Sequence, residues 1–311
     1  MRQRNGFAHE LNKNKGNFLL MLPGVLYLFV NNYVPMFGMS IAFKKITYGN
    51  SFAETYIKSP WVGLKNFEFF LSTRDAFLIT RNTVLYNIAF IAIGLVLSVA
   101  CAVAINEITN KRMAKFYQAA MILPNFLSWI VISGIAYAFL NARGFINSSI
   151  VGLFDMEAVS FYSEPSCWPY ILIFIQVWYN LGVNTVIYLA SITGISGEYY
   201  ESAVIDGAGK WQQITKITLP LLKPTIITLT IISLGGIFHA NFGLFFNVPR
   251  ESGVLFGVTN VIDTFVFRAL RTGGRTEMAA AAGFYQSIVG FCIVVLANSI
   301  VKKISRENSL F

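Results

Sequence analysis

Gln176, Asn180 and Asn184 stand at i, i+4 and i+8 inside the uncharged run Trp168–Ile192. On a helix this spacing puts all three amides on one face. An amide donates and accepts at once, so such a row suits sugar hydroxyls. Trp178 and Tyr179 adjoin it and offer aromatic faces for the apolar side of a sugar ring. In hydrocarbon an amide without a hydrogen bond is costly, so the row faces protein or water rather than lipid. Such amides either line a cavity or tie helices together. Asn180, near the middle of the run, fits the cavity better than Asn184, which nears its far end. In a later run Ser233, His239 and Asn241 are weaker candidates, and the neighbouring Gly235 and Gly236 more often mark close helix packing.

A second set of residues lies in the charged insert 193–223. From Glu198 to Asp206 the residues favour a short helix, with Tyr200, Ala203 and Val204 forming an apolar stripe at i, i+3 and i+4. Glu198 and Glu201 fall in its first turn, where the helix dipole favours carboxylates. Gly207 and Gly209 break it with the backbone freedom of a sharp turn. A second helical stretch carries Trp211, Ile214 and Ile217, and Pro220 and Pro224 precede the next apolar run. The expected product is two short helices at an angle, with small Ala203 and Ala208 permitting close approach. An ordered apolar stripe with no partner inside the chain implies a docking surface.

Other chemistries find little support. Gly207-Ala208-Gly209-Lys210 resembles the tail of a phosphate loop, yet Val204 holds the place of the first glycine and Trp211 follows the lysine. With His9 and His239 the only histidines, there is no HExxH and no Ser/His/Asp set, so an enzyme lacks its residues. Cys101, Cys167 and Cys292 have no metal-ligand spacing and read as small buried thiols; no metal site is expected.

The elements that must carry these residues are membrane helices. The chain is 55% hydrophobic and 13% charged, too apolar for a soluble surface. A bilayer span needs about 20 apolar residues. Six runs free of Lys, Arg, Asp and Glu qualify: Phe18–Met39, Asn82–Ile105, Phe116–Leu140, Trp168–Ile192, Thr225–Phe245 and Met278–Val301. Their length and lack of strict alternation predict helices, not a barrel. The formal charge of +9 comes from Lys and Arg that flank these runs instead of clustering on one amphipathic face, so it reads as cytoplasmic anchoring rather than a nucleic-acid face. The first run is too long for a signal core and is read as a retained span.

Six spans put both termini on one side. Arg2, Arg4, Lys13, Lys15, Lys111, Arg112, Lys115, Lys210, Lys216, Lys223, Lys302, Lys303 and Arg306 then share that side. The opposite loop 141–167 has Arg143 against Asp155, Glu157 and Glu164, so the charge bias mildly favours cytoplasmic ends. Residues 40–81, with Trp61, Phe67, Phe69, Phe70 and Leu71 beside Lys65 and Glu68, suit a short helix lying in the outer interface. The uncharged run 252–262 is too short to span and fits an interfacial or re-entrant element. With no repeat and no low-complexity tract, the chain reads as one membrane domain, 1–311, all-α and polytopic.

Glu201-Ser202-Ala203 is followed after three residues by Gly207, and after nine more by Ile217-Thr218-Leu219-Pro220. This resembles the coupling loop (Glu-Ala-Ala…Gly…Ile-x-Leu-Pro) of type I binding-protein-dependent ABC import permeases, with Ser202 where the family usually has alanine. Residues 106–140, 233–249, 261–270 and 280–304 resemble the branch that imports oligosaccharides or breakdown products of complex polysaccharides, and 82–304 is the most specific part. The resemblance implies a non-catalytic permease in a bacterial cytoplasmic membrane. It also implies a homologous second permease, usually as a heterodimer, two cytoplasmic ATPase subunits holding ATP and Mg, and an extracellular sugar-binding protein. No cofactor would sit in this chain. The segment Glu198–Pro220 would engage the ATPase, through Glu201, Ser202, Ala203, Asp206, Gly207, Leu219 and Pro220, with Glu201 facing an ATPase arginine. Positions matching Gln176, Tyr179 and Asn180 line the sugar site in such permeases.

Two other readings stand beside it. An ABC permease could serve another solute class. A self-sufficient secondary carrier would need ion-coupling charges inside its spans, and these runs hold none.

Overall fold

The computed structural model describes residues 13–47, 49, 51–68, 73–151 and 157–304. Of the residues used above, Arg2, Arg4, His9, Phe69, Phe70, Leu71, Asp155 and Arg306 lie outside these. In chain order the main helices are α1 (Lys15–Phe43), α2 (Phe52–Lys58), α3 (Arg74–Asn106), α4 (Lys111–Ile122), α5 (Trp129–Leu140) and α6 (Trp168–Thr193). They continue as α7 (Gly197–Ile205), α8 (Lys210–Gly235), α9 (Phe242–Asn247), α10 (Ile262–Gly273) and α11 (Thr276–Ile304). Among the described residues, the β structure is one isolated bridge between Lys44 and Trp61.

Five helices, α1, α3, α6, α8 and α11, are long and apolar enough to cross a membrane, and the pair α4–α5 makes a sixth if counted as one bent span. The run Phe116–Leu140 is therefore not one straight helix. α4 tightens into a 3-10 turn at Leu123–Phe126 around Pro124, Leu127 is extended, and Ser128 accepts the Val131 N–H at 3.3 Å to start α5 afresh. The two halves meet at 99°.

The fifth run also differs from expectation. Its helix begins at Lys210, well before Thr225, and ends at Gly235, so Phe242–Asn247 forms the separate α9. Pro220 and Pro224 do not divide it. Ahead of Pro220 the helix widens to a π turn over Ile214–Thr218, where the Leu219 N–H reaches back to the Ile214 carbonyl. This widening accommodates a residue that has no N–H to give. The second short helix expected in the insert is thus the first part of α8.

α3 is the central element. Toward its start Ile79 packs with Ile237, Phe238, Ile262 and Ala282. Farther along, Tyr86 joins the cluster of Trp168, Leu172 and Ile175 from α6 and Leu244 and Phe245 from α9. At its far end Ala102 and Ile105 meet Tyr188, Leu189, Ile192 and Leu222. α6 approaches α4 so closely at Gly182 that a Cβ there would lie 2.2 Å from the Met121 carbonyl oxygen.

α1 stands apart: no residue of Lys15–Gly38 is buried. Only its last turn, Met39–Phe43, is anchored, with Phe43 edge-on to Phe284 of α11 at 5.1 Å. Phe67 joins the same rings. The short helix expected within 40–81 is α2, started by Ser51, while Phe67 after it packs onto α11. Residues 252–262 form two short helical turns with Leu255 and Val261 fully buried.

Candidate functional site

α3, α6 and α8 enclose a cleft of about 270 Å³. Gln176, Asn180 and Asn184 line it from α6 and Ser233 from α8, so four of the candidates meet. The 3.6-residue period of α6 brings the three amides into one column. Gln176 is buried, and Asn180 and Asn184 are half-buried. Among the described residues, neither the Asn180 nor the Asn184 amide has a hydrogen-bond partner. An amide so placed is held for water, a second chain or a ligand.

Sequence reasoning missed three polar members of the wall, Asn87 of α3, Tyr188 of α6 and Thr230 of α8. Asn87 is an amide inside a run read as a span, so the argument applied to Asn180 would have found it. Its Nδ2 donates toward the carbonyls of Thr83, Ile237 and His239 at 2.9, 3.0 and 3.1 Å. Thr230 donates to its own helix, at the Ile226 carbonyl (2.7 Å), as Ser233 does at Leu229 (2.8 Å). Their oxygens remain free to accept from a ligand.

The other candidates do different work. Tyr179 is not brought to the cleft. One residue from Asn180 is about 100° around the helix, and there its ring lies 4.4 Å from Trp129 and its hydroxyl donates to the Asn125 carbonyl at 3.2 Å. It braces the break between α4 and α5. Trp178 faces an apolar groove between α5 and α6, away from the amides. Asn241 touches the site through Gln176, donating to Oε1 at 3.1 Å while its own oxygen caps α9 at the Leu244 N–H. It orients Gln176.

His239 is exposed, with Nδ1 4.0 Å from an Asp263 oxygen. The other oxygen of Asp263 accepts from the Ala240 N–H at 2.7 Å and from Gln286 Nε2 at 3.2 Å, and Gln286 also donates to the Phe238 carbonyl. With Asn87, these groups take up the backbone of the non-helical link after Gly236. Asp263 lies outside the long spans, and burial pushes its carboxyl above the ordinary carboxylate value, against the Ala240 N–H and His239, which pull it down.

At the other end of α6, Ser196 starts α7 by accepting the Glu198 N–H. Gly207 ends it at φ +80°. The Ala208 N–H reaches the Ala203 carbonyl at 2.8 Å and the Gly207 N–H that of Val204 at 3.0 Å, a paired closure that needs a left-handed residue at Gly207. The turn is tied down by Tyr200 to Thr218 (2.9 Å), Gln213 to the Ala208 carbonyl (3.1 Å) and Lys210 to Glu107 (2.9 Å). Tyr200 therefore points inward, unlike the stripe read from sequence. The exposed apolar face is Val204, Ile205 and Trp211, at 61, 86 and 75%. Glu201, Ser202 and Asp206 stand exposed beside it, Ala203 is half-buried, and Leu219 and Pro220 lie farther along α8.

Residues 91–306 match the family described as binding-protein-dependent transport system inner membrane component. The polygalacturonan/rhamnogalacturonan transport system permease protein YteP of Bacillus subtilis is 30% identical over 301 residues, spanning 96% of this chain and 91% of that one. A bacterial ABC transporter involved in the import of the acidic polysaccharide alginate superposes with a TM-score of 0.85 at 28% identity, over 95% of this chain and 98% of that one. The bacterial alginate transporter in complex with its alginate pentasaccharide-bound periplasmic protein gives 0.84 at 28%, over 95% and 97%. An all-helical chain with an amide-lined cleft among its spans, matched over this length, belongs to the family of binding-protein-dependent transport system inner membrane components, the permease subunits of ABC sugar importers.

Proposed function

We propose that this chain forms one wall of the path by which an oligosaccharide, or a fragment of a larger polysaccharide, crosses a bacterial cytoplasmic membrane. The carrying observation is the pair Asn180 and Asn184, half-buried amides without a hydrogen-bond partner among the described residues, beside Asn87 and Gln176 in one cleft. Each hydroxyl of a passing sugar exchanges water for an amide of similar strength, so the cargo slides from site to site without being held.

A homologous second permease closes the path, and an extracellular sugar-binding protein delivers the cargo; the alginate transporter's complex with a pentasaccharide-bound periplasmic protein supports this. Energy comes from two cytoplasmic ATPase subunits that hold ATP and Mg. The turn around Gly207 docks into one of them, with Val204, Ile205 and Trp211 as the apolar contact and Glu201 and Asp206 as carboxylates for basic partners. With that docking, both termini and 193–223 lie on the cytoplasmic side.

Asn180→Leu tests the cleft. One lost hydrogen bond is worth about 0.5–1.5 kcal/mol, so transport by the reconstituted importer is expected to fall several-fold while complex yield and ATPase turnover hold. A fall in complex yield that matches the fall in transport would make Asn180 a helix tie instead.

A further inference from the structure

We propose that this cleft passes uncharged oligosaccharides and rejects those bearing carboxylates. The inference rests on the reading of the cleft as the sugar path. Its polar wall consists of Asn87, Gln176, Asn180, Asn184, Tyr188, Thr230 and Ser233, and none of the described residues lining it carries a formal charge. Asn180 and Asn184 each present an NH2 group and a carbonyl. A sugar hydroxyl donates and accepts, so it satisfies both ends of such an amide. A carboxylate only accepts. It would use the NH2 groups, leave both carbonyls facing an anion, and bring a full charge into a low-dielectric space without a counter-ion. The desolvation of an unpaired carboxylate outweighs the hydrogen bonds it would gain.

The surroundings add to this bias. Asn87 donates to the His239 carbonyl, and the next N–H along the chain, that of Ala240, is taken by Asp263. The ionisable residues reached from the cleft wall by this route are thus His239, through its backbone, and the carboxylate of Asp263. His239 sits 4.0 Å from it, drawn to Asp263. Of the arginines in nearby segments, Arg81 donates to Asn82 at 2.9 Å and Arg268 and Arg271 lie beside Glu251 at 3.8 and 3.6 Å; none of these lines the cleft. An acidic cargo like the alginate of the similar importer therefore meets no cation on this wall.

The test uses the complete importer in proteoliposomes, with its binding protein and ATP. The vesicles are offered a mixture of neutral tetrasaccharides (xylo-, manno-, gluco- and galacto-configured) and tetra-uronates, and the lumen is analysed by mass spectrometry. Neutral tetrasaccharides alone are expected inside. Uronates in the lumen would overturn the inference while leaving the sugar path intact. An empty lumen, with ATP hydrolysis unaffected by every sugar, would instead sink the sugar-path reading.

A charge pair at Asn180 supplies the second measurement. For a neutral cargo Asn180→Asp and Asn180→Lys lower uptake to a similar extent. For an acidic one, like-charge repulsion separates the two by at least about tenfold in favour of Lys. Complex yield is measured on both, and a tenfold advantage of Lys at equal yield would refute the proposal.

Discussion

Gly182→Ala adds one methyl group where α6 crosses α4. That Cβ would lie 2.2 Å from the Met121 carbonyl oxygen, 2.3 Å from its carbon and 2.5 Å from the Ile122 nitrogen. All three atoms belong to backbone, so no side-chain rotation relieves the overlap. Ordinary contact requires α4 to withdraw by roughly 1 Å. The sign of the outcome is informative. At an open helical position glycine to alanine stabilises by about 0.5–1 kcal/mol, whereas overpacking a tight contact costs about 1–3 kcal/mol. Gly283→Ala in α11, which meets nothing within 4 Å, is the matched control. Thermal unfolding of the purified importer in nanodiscs reads both changes. Gly182→Ala is expected to melt below the parent and Gly283→Ala at or above it. Because Gly182 lies between Asn180 and Asn184, transport should fall with stability. A Gly182→Ala complex that melts at or above the parent would refute the backbone-on-backbone packing of α6 and α4.

Gly207→Val puts a β-branched residue at φ +80°, at a local cost of about 1–3 kcal/mol; the ATPase is expected to be lost from affinity pull-downs while membrane insertion persists. With Cys101, Cys167 and Cys292 replaced, Ser148→Cys should react with an impermeant thiol reagent in intact cells and Ser196→Cys should not; the reverse labelling would invert the orientation. Asp263 binds its proton more tightly folded than unfolded. Its stabilising contribution is therefore full below the ordinary value of 3.8 and is lost as pH rises through the raised value, so Asp263→Asn should flatten that acid-side part of the melting-temperature profile.

Amide spacing on one helix was readable because a fixed period carries it: Gln176, Asn180 and Asn184 meet in one cleft as the i, i+4, i+8 rule requires. Gly207 was readable because few residues besides glycine accept a left-handed turn. The ends of the spans were less so. Hydropathy marks where lipid could be, not where hydrogen bonding stops, and α8 runs on from Lys210 through two prolines because a π turn absorbs the misfit. The direction of Tyr179 depended on Trp129 and Asn125, fifty or more residues upstream, and no local pattern in α6 encodes them. The inward turn of Tyr200 likewise waits on Thr218.

The unbroken course of α8 has a mechanical consequence. Trp211, exposed at the turn, and Thr230 and Ser233, in the cleft wall, belong to one helix of 26 residues. At about 1.5 Å per residue this is a strut roughly 39 Å long. Its lower end is clamped by Lys210 to Glu107 and Gln213 to Ala208. A strut without a joint stores little of the work done on it. Thrust delivered at Trp211 arrives at Ser233 as displacement or tilt, two residues before the helix ends at Gly235.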